Sequence, residues 1–314
     1  MVNIWAKQLA LFINISVKAG TPLLLAALGE IYTERSGVLN LGLEGIMLLG
    51  AVTGFIATYS TGSPVIGIMI SLIAGAVLGL VHAFVCVSLR ANQVVTGLAL
   101  VMVGTGLSSL LGRRYVGVAL SNPLRPIELP ILSDIPVIGK GFFYHDPLVY
   151  ISYVLVVILW FILFKTKIGI MIRAVGEDPA AADSMGVNVY LVRYICTIFG
   201  GSLVGLSGAY ISLAYTPMWI EGITVGRGWI ALALVILAMW NPARAILGAY
   251  LFGSTEVLQY WLQMPLQRHG IDPSILGTLP YVVTIIALLI GSLESIRKRI
   301  GAPAALGKPY VRGE

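Results

Sequence analysis

Charge is scarce in this chain: Asp, Glu, Lys and Arg make up 11% of its 314 residues, less than half the roughly 25% of a soluble globular domain. That scarcity excludes an ordinary cytosolic enzyme and a disordered chain. Cysteine is nearly absent too. Cys86 and Cys196 both fall inside apolar stretches without a CxxC spacing, so they read as small buried apolar residues and not as a disulfide framework. Of three histidines, His82 lies in an apolar segment while His145 and His269 lie in expected external loops; there is no HExxH and no Ser/His/Asp cluster. Catalysis and metal ligation therefore lack a constellation of side chains, and neither a cofactor nor a metal is expected. A phosphate-binding loop is missing as well. The nearest approach to G-x-x-x-x-G-K-[ST], Gly301 to Lys308, has five residues between its glycines and Pro309 after the lysine. Energy must come from a separate subunit or from an ion gradient.

What is abundant is apolar surface, with 58% hydrophobic residues and a mean hydropathy of +0.92. Crossing a hydrocarbon core takes about 20 helical residues. Nine apolar runs are candidates: Ile4 to Leu28, Leu41 to Tyr59, Val65 to Ser88, Val94 to Leu111, Leu148 to Phe164, Tyr194 to Tyr215, Trp229 to Trp240, Ala245 to Leu262 and Leu279 to Leu293. The seventh and ninth are short, so the expected fold is an all-α polytopic membrane protein of about 8 to 10 transmembrane helices. Backbone groups in lipid must be satisfied within the segment, and no ~10-residue alternating strands suggest a barrel. The N-terminal stretch has Lys7 ahead of apolar residues, but Asn14 and Lys18 interrupt it. It reads as the first membrane segment, not a signal peptide.

The net charge of +6 is explained by basic residues on cytoplasmic loops facing anionic lipid, without nucleic acid. Twelve of the twenty Lys and Arg fall in the segments assigned inside: Arg35, Arg90, the loop Lys165 to Arg193, Asn241 to Arg244, and the basic tail 294–314. Arg113 and Arg114 oppose that orientation. Nine crossings put the N-terminus outside; a re-entrant first run, or a re-entrant Glu30 to Glu44, puts it inside.

The whole chain, 1–314, reads as one transmembrane domain. Its external loop, 112–147, holds five prolines and cannot be a membrane helix; it is a lid, a docking surface for an extracytoplasmic partner, or a plain connector. The loop 165–193 carries a short helix with both ends written in sequence. Asp178 precedes Pro179, then come Ala180, Ala181, Ala182, Asp183, Ser184 and Met185, and Gly186 closes it. A structural corner and a docking element for a cytoplasmic protein both fit this pattern.

Ala181, Ala182 and Gly186 match the spacing of the EAA loop of ABC-importer permeases, with Ala180 where that motif has Glu. IGIMIRAVGEDPAAADSMGVN (168–188) resembles the coupling segment of permeases serving ribose and other simple sugars, nucleosides and branched-chain amino acids. LGEIYTERSGVLNLGLEGIMLLGA (28–51) is similar to the nucleoside and simple-sugar branch, and NPAR (241–244) with the glycine-rich 245–253 also fits. The resemblance implies an importer permease in a bacterial-type cytoplasmic membrane. Its expected partners are cytoplasmic ATPase subunits, a second and paralogous permease, an extracytoplasmic solute-binding protein or lipoprotein, and the lipid bilayer. It also implies that Glu177, Asp178 and Asp183 meet the ATPase as rim charges, while Pro179 starts the helix, Ala181, Ala182 and Met185 seat it, and Gly186 ends it.

For the translocation pathway, polarity inside or bordering the runs points to Asn40, Glu44, Asn92, Gln93, Thr96, Glu221, Trp229 and Gln259. A neutral polyol such as a nucleoside needs hydrogen bonds and aromatic faces; Tyr215, Trp219 and Trp229 supply faces or form an interfacial belt. Glycine pairs at Gly50/Gly54, Gly75/Gly79 and Gly201/Gly205 allow close helix approach. The rival class is a gradient-driven transporter, for which Glu44, His82 and Glu256 are the intramembrane titratable candidates. They form no continuous chain in sequence.

Overall fold

The computed structural model describes residues 4–130, 132–133, 135–267, 272–279, 282–283, 285–286, 289 and 301–312. The long helices in chain order are α1 (Ile4–Arg35), α2 (Leu43–Thr61), α3 (Pro64–Ala83) and α4 (Gln93–Gly112). A short α5 (Ile138–Phe142) precedes α6 (Pro147–Lys165), α7 (Lys167–Glu177), the short α8 (Pro179–Ser184), α9 (Val189–Tyr210), α10 (Arg227–Leu237), α11 (Pro242–Gln267) and α12 (Pro273–Leu276). Six segments are long and apolar enough to cross a membrane: Trp5–Arg35, Leu43–Thr61, Pro64–Ser88, Gln93–Tyr115, Pro147–Lys165 and Val189–Tyr215. They coincide with the first six apolar runs. The seventh run forms the shorter α10, the eighth lies in α11, and much of the ninth run, with Arg297, Lys298 and Arg299 of the tail, lies outside the described residues.

α1, α2 and α9 form the buried centre, flanked by α3 on one side and α11 on the other. Close approach is what the glycines provide. A Cβ added to Gly201 would lie 2.9 Å from the Cα of Gly79, and one added to Gly205 2.9 Å from the Cα of Gly75. The glycine pairs of α3 and α9 therefore face each other at a helix crossing. α3, α4 and α6 turn apolar rows outward, among them Val65, Met69, Ile73 and Val77 on α3 and Val154, Val157 and Phe161 on α6. In water such rows would be an aggregation surface; in lipid they are the solvated face.

α1 does not stop where its apolar run does. Glu30, Glu34 and Arg35 are buried, and the helix continues through them because each finds a partner. Glu30 Oε1 accepts from Asn40 N–H at 3.0 Å, Glu34 accepts from the Trp240 indole N–H, and Arg35 Nε donates to Trp240 O at 3.1 Å. The helix ends in a Schellman turn: Val38 N–H donates to Thr33 O and Gly37 N–H to Glu34 O, with Gly37 at φ +90°. Residues 38–42 then run back beside α1, and α2 starts after them.

Candidate functional site

Residues 165–193 build a projecting corner. Thr166 Oγ1 accepts from Gly169 N–H at 3.3 Å and opens α7, which buries Ile172, Val175 and Gly176. The residue before a proline avoids helical geometry, so the chain breaks at Asp178, at φ −143° and ψ 93°. The freed carboxylate caps α8, its Oδ1 accepting from Ala180 N–H at 3.1 Å and Ala181 N–H at 3.0 Å. A second Schellman turn ends α8: Val187 N–H donates to Ala182 O and Gly186 N–H to Asp183 O, and Gly186 takes φ +86°. Both ends are thus as the sequence predicts.

The faces of α8 are unequal. Ala182 is 4% exposed and joins the core, whereas Met185 is 85% exposed. Glu177, Asp178 and Ala181 are also exposed and Pro179 is half-buried. Of the three residues expected to seat the helix in a groove, Ala181 and Met185 project outward and Ala182 inward. Asp183 pairs with Arg312 Nε at 3.0 Å, and Glu177 Oε2 accepts from Ala304 N–H at 3.3 Å. Beside this corner lies a cleft of about 330 Å³, lined by Arg35, Arg173, Glu177 and Asn241 among others.

The polar residues expected on a pathway separate into two clusters and four outliers. In the first cluster, Gln93 Oε1 accepts from Leu39 N–H at 2.7 Å and His82 Nε2 meets Leu39 O at 2.9 Å. Asn40 Oδ1 accepts from Gly42 N–H at 2.9 Å. Glu44 closes it: Oε1 accepts from Thr224 Oγ1 at 2.5 Å and Gly226 N–H at 2.9 Å, and Oε2 from Gly228 N–H at 2.7 Å. Glu44 thereby caps the N-terminus of α10, where a carboxylate complements the helix dipole.

The second cluster surrounds a cavity of about 200 Å³ lined by Leu23, Arg227, Phe252, Glu256, Gln259 and Tyr260, among others. Arg227 Nη2 pairs with Glu256 Oε1 at 2.5 Å, its guanidinium lies 5.3 Å from the Tyr215 ring centroid, and Tyr215 Oη donates to Glu256 Oε1 at 3.4 Å. Asn92 is instead the N-cap of α4, Thr96 donates back to Asn92 O at 2.9 Å, and Glu221 and Trp229 are exposed.

Arg227 and Thr224 were not singled out by sequence reasoning. Arg227 sits at the start of an apolar run, where it looks like an ordinary loop charge; the available signal was Glu256, an acid in a facing apolar run that requires a cationic partner.

At the opposite end of the bundle, described residues of the loop 112–147 bond to the segment after α9. Gly117 N–H donates to Trp219 O at 2.9 Å and Leu120 N–H to Pro217 O at 3.0 Å. Strands β1 (Ile127–Glu128) and β2 (Tyr144–His145) pair antiparallel.

Residues 12–296 match the family described as the permease component of the branched-chain amino acid transport system. A putative glucose ABC transporter permease protein of Haloferax volcanii is 41% identical, over 96% of this chain and 97% of its own length. A guanosine ABC transporter permease protein of Bacillus subtilis is 36% identical, over 98% of both chains. A nucleoside ABC transporter permease protein of Lactococcus lactis is 34% identical, over 94% of both. No solved structure matches. With the family match covering most of its length and six helices fit to span a bilayer, the chain belongs to this ABC permease family and is a multi-pass protein of the cytoplasmic membrane.

Proposed function

We propose that this chain is the translocating subunit of an ABC importer for nucleosides, driven by separate ATPase subunits that dock on α8. The observation that carries the coupling role is the outward face of α8, a fully capped helix with Ala181 and Met185 projecting and Glu177 and Asp178 at its rim. This end of the bundle is then cytoplasmic. The loop 112–147 lies outside and receives a solute-binding protein, the bonds of Gly117, Val118 and Leu120 to Pro217 and Trp219 bracing its start.

Two observations favour nucleosides. Two of the three relatives above are named for guanosine or nucleoside transport. The Arg227–Glu256 pair also cancels its own charge while leaving Gln259 and Tyr260 on the wall of a cavity. That arrangement offers hydrogen bonds and an aromatic ring without a net charge, which suits a neutral polyol. Simple sugars are the second reading, carried by the glucose permease relative.

The test is reconstitution with the cognate ATPase, second permease and binding protein in proteoliposomes. Guanosine or adenosine should stimulate hydrolysis and accumulate, while ribose and glucose do neither; the reverse pattern replaces the substrate assignment. Ala181→Arg and Gly186→Asp should each lower uptake at least about tenfold by disturbing a docked surface while the protein stays folded in the membrane. Full uptake by both would refute the coupling role.

A further inference from the structure

Segment 301–312 and the turn after α1 both lie outside the roles assigned so far, and they meet. Ala305 N–H donates to Gly176 O, at the end of α7, at 2.9 Å, and Gly307 N–H donates to Gly37 O, in the turn after α1, at 3.2 Å. Lys308 O accepts from Arg193 Nη1 of α9 at 3.1 Å. The Tyr310 ring lies tilted against Tyr190 with centroids 5.8 Å apart, and Arg312 pairs with Asp183 of α8. One strap thus touches α7, α8, α9 and the connection between α1 and α2.

Arg193 is the anchor. It is 1% exposed, and its Nε and Nη2 have no hydrogen-bond partner among the described residues. It underlies the turn as well as the strap, since a Cβ added to Gly37 would lie 2.9 Å from Nη2. A buried guanidinium with unused donors is costly. Stability alone does not account for it.

From Gly37 the chain continues through 38–42, held by Gln93, His82 and Glu30, into α2. There Glu44 grips the N-terminus of α10, and α10 carries Arg227 to the polar cavity. The contacts from α8 to that cavity are contiguous.

We propose that Arg193 and segment 301–312 are positioning elements for ATP-coupled transport, binding α8 to the 36–42 connection so that displacement of α8 reaches α2 and α10. This rests on the coupling role proposed for α8. Contiguity alone does not demonstrate coupling, so the readout is solute moved per ATP hydrolysed.

In proteoliposomes holding the full complex, Arg193→Met and a chain shortened to residues 1–300 should lower that ratio about fivefold or more, the lower range of allosteric coupling. Hydrolysis should stay within about twofold of the original, since a coupling defect need not slow the ATPase itself. Arg193→Lys, which keeps a donor for Lys308 O, should recover at least half the ratio. A purely structural role would lower hydrolysis and uptake together, and that outcome overturns the proposal. So does an unchanged ratio in Arg193→Met. If Ala181→Arg still uncouples in that case, the coupling role of α8 stands without the strap; if Ala181→Arg also transports normally, the coupling role falls too. Should the shortened chain fail to assemble, the Met and Lys variants decide.

Discussion

His145 is buried beside α6, its Nε2 in contact with Gly141 O at 2.8 Å and its ring edge-on to Tyr150 at 6.4 Å. Burial, offset in part by the Gly141 bond and reinforced by Lys18, pushes its imidazole down to about 4. The ordinary value is 6.5, so between these limits the unfolded chain binds a proton that the folded one refuses. Stability therefore rises with pH across that window and is lost as pH falls from 6.5 towards 4. The neighbouring Asp146 is raised by burial, against the pull of backbone N–H groups from Val149 and Leu148, and acts in the opposite sense. Thermal unfolding in detergent should show the midpoint dropping between pH 6.5 and 4.5, with the slope reduced in His145→Phe, which keeps an aromatic ring there without a titrating nitrogen. An acid limb unchanged by that substitution would mean that another group governs it.

At the scale of the elements, the contact between α3 and α9 depends on the absence of side chains. Gly201 lies against Gly75 and Gly79, where a Cβ meets backbone and not a movable side-chain end. Backbone atoms of two packed helices cannot step aside singly, so Gly201→Leu should force the helices apart at a cost of about 1–3 kcal/mol or more. Gly106 on α4 has nothing within 4 Å of its missing Cβ, so Gly106→Ala should be neutral or stabilising by about 0.5–1 kcal/mol. Folded yield and melting temperature in detergent compare the two; equal behaviour would contradict close packing as the role of Gly201.

What could be read ahead of the structure follows the range of the forces involved. α8 was legible in full because its signals are local: Asp178, Pro179 and Gly186 act through bonds two to five residues away. The first six spans were legible because each is a continuous apolar run. The continuation of α1 to Arg35 was not, because its charges are tolerated only through Asn40 and Trp240, the latter 206 residues from Glu34. Arg227 and Glu256 are separated by 29 residues on two helices, and no local pattern announces their meeting. Asn92 was ambiguous for another reason: an asparagine bordering a span fits a pathway or a cap, and the structure gives it the cap's hydrogen bonds.

At the scale of the whole molecule, the docking role proposed for α8 gives the chain one such helix among its described residues, whereas the proposed importer has two ATPase subunits to couple. On that proposal each ATPase has its own contact with the membrane part, and a second permease supplies the other helix. Two copies of this chain would meet that need by twofold symmetry, but the resemblance to the nucleoside branch implies a second, paralogous permease. The expectation is therefore a heteromeric membrane unit. Co-expression of this chain with its paralogous permease and the ATPase should yield a complex containing one copy of each permease by native mass spectrometry. Omission of the paralogue should abolish nucleoside-stimulated hydrolysis. A complex of two identical permease chains with full uptake would refute it, and would place two identical α8 helices, with their straps, at symmetric positions on the cytoplasmic face.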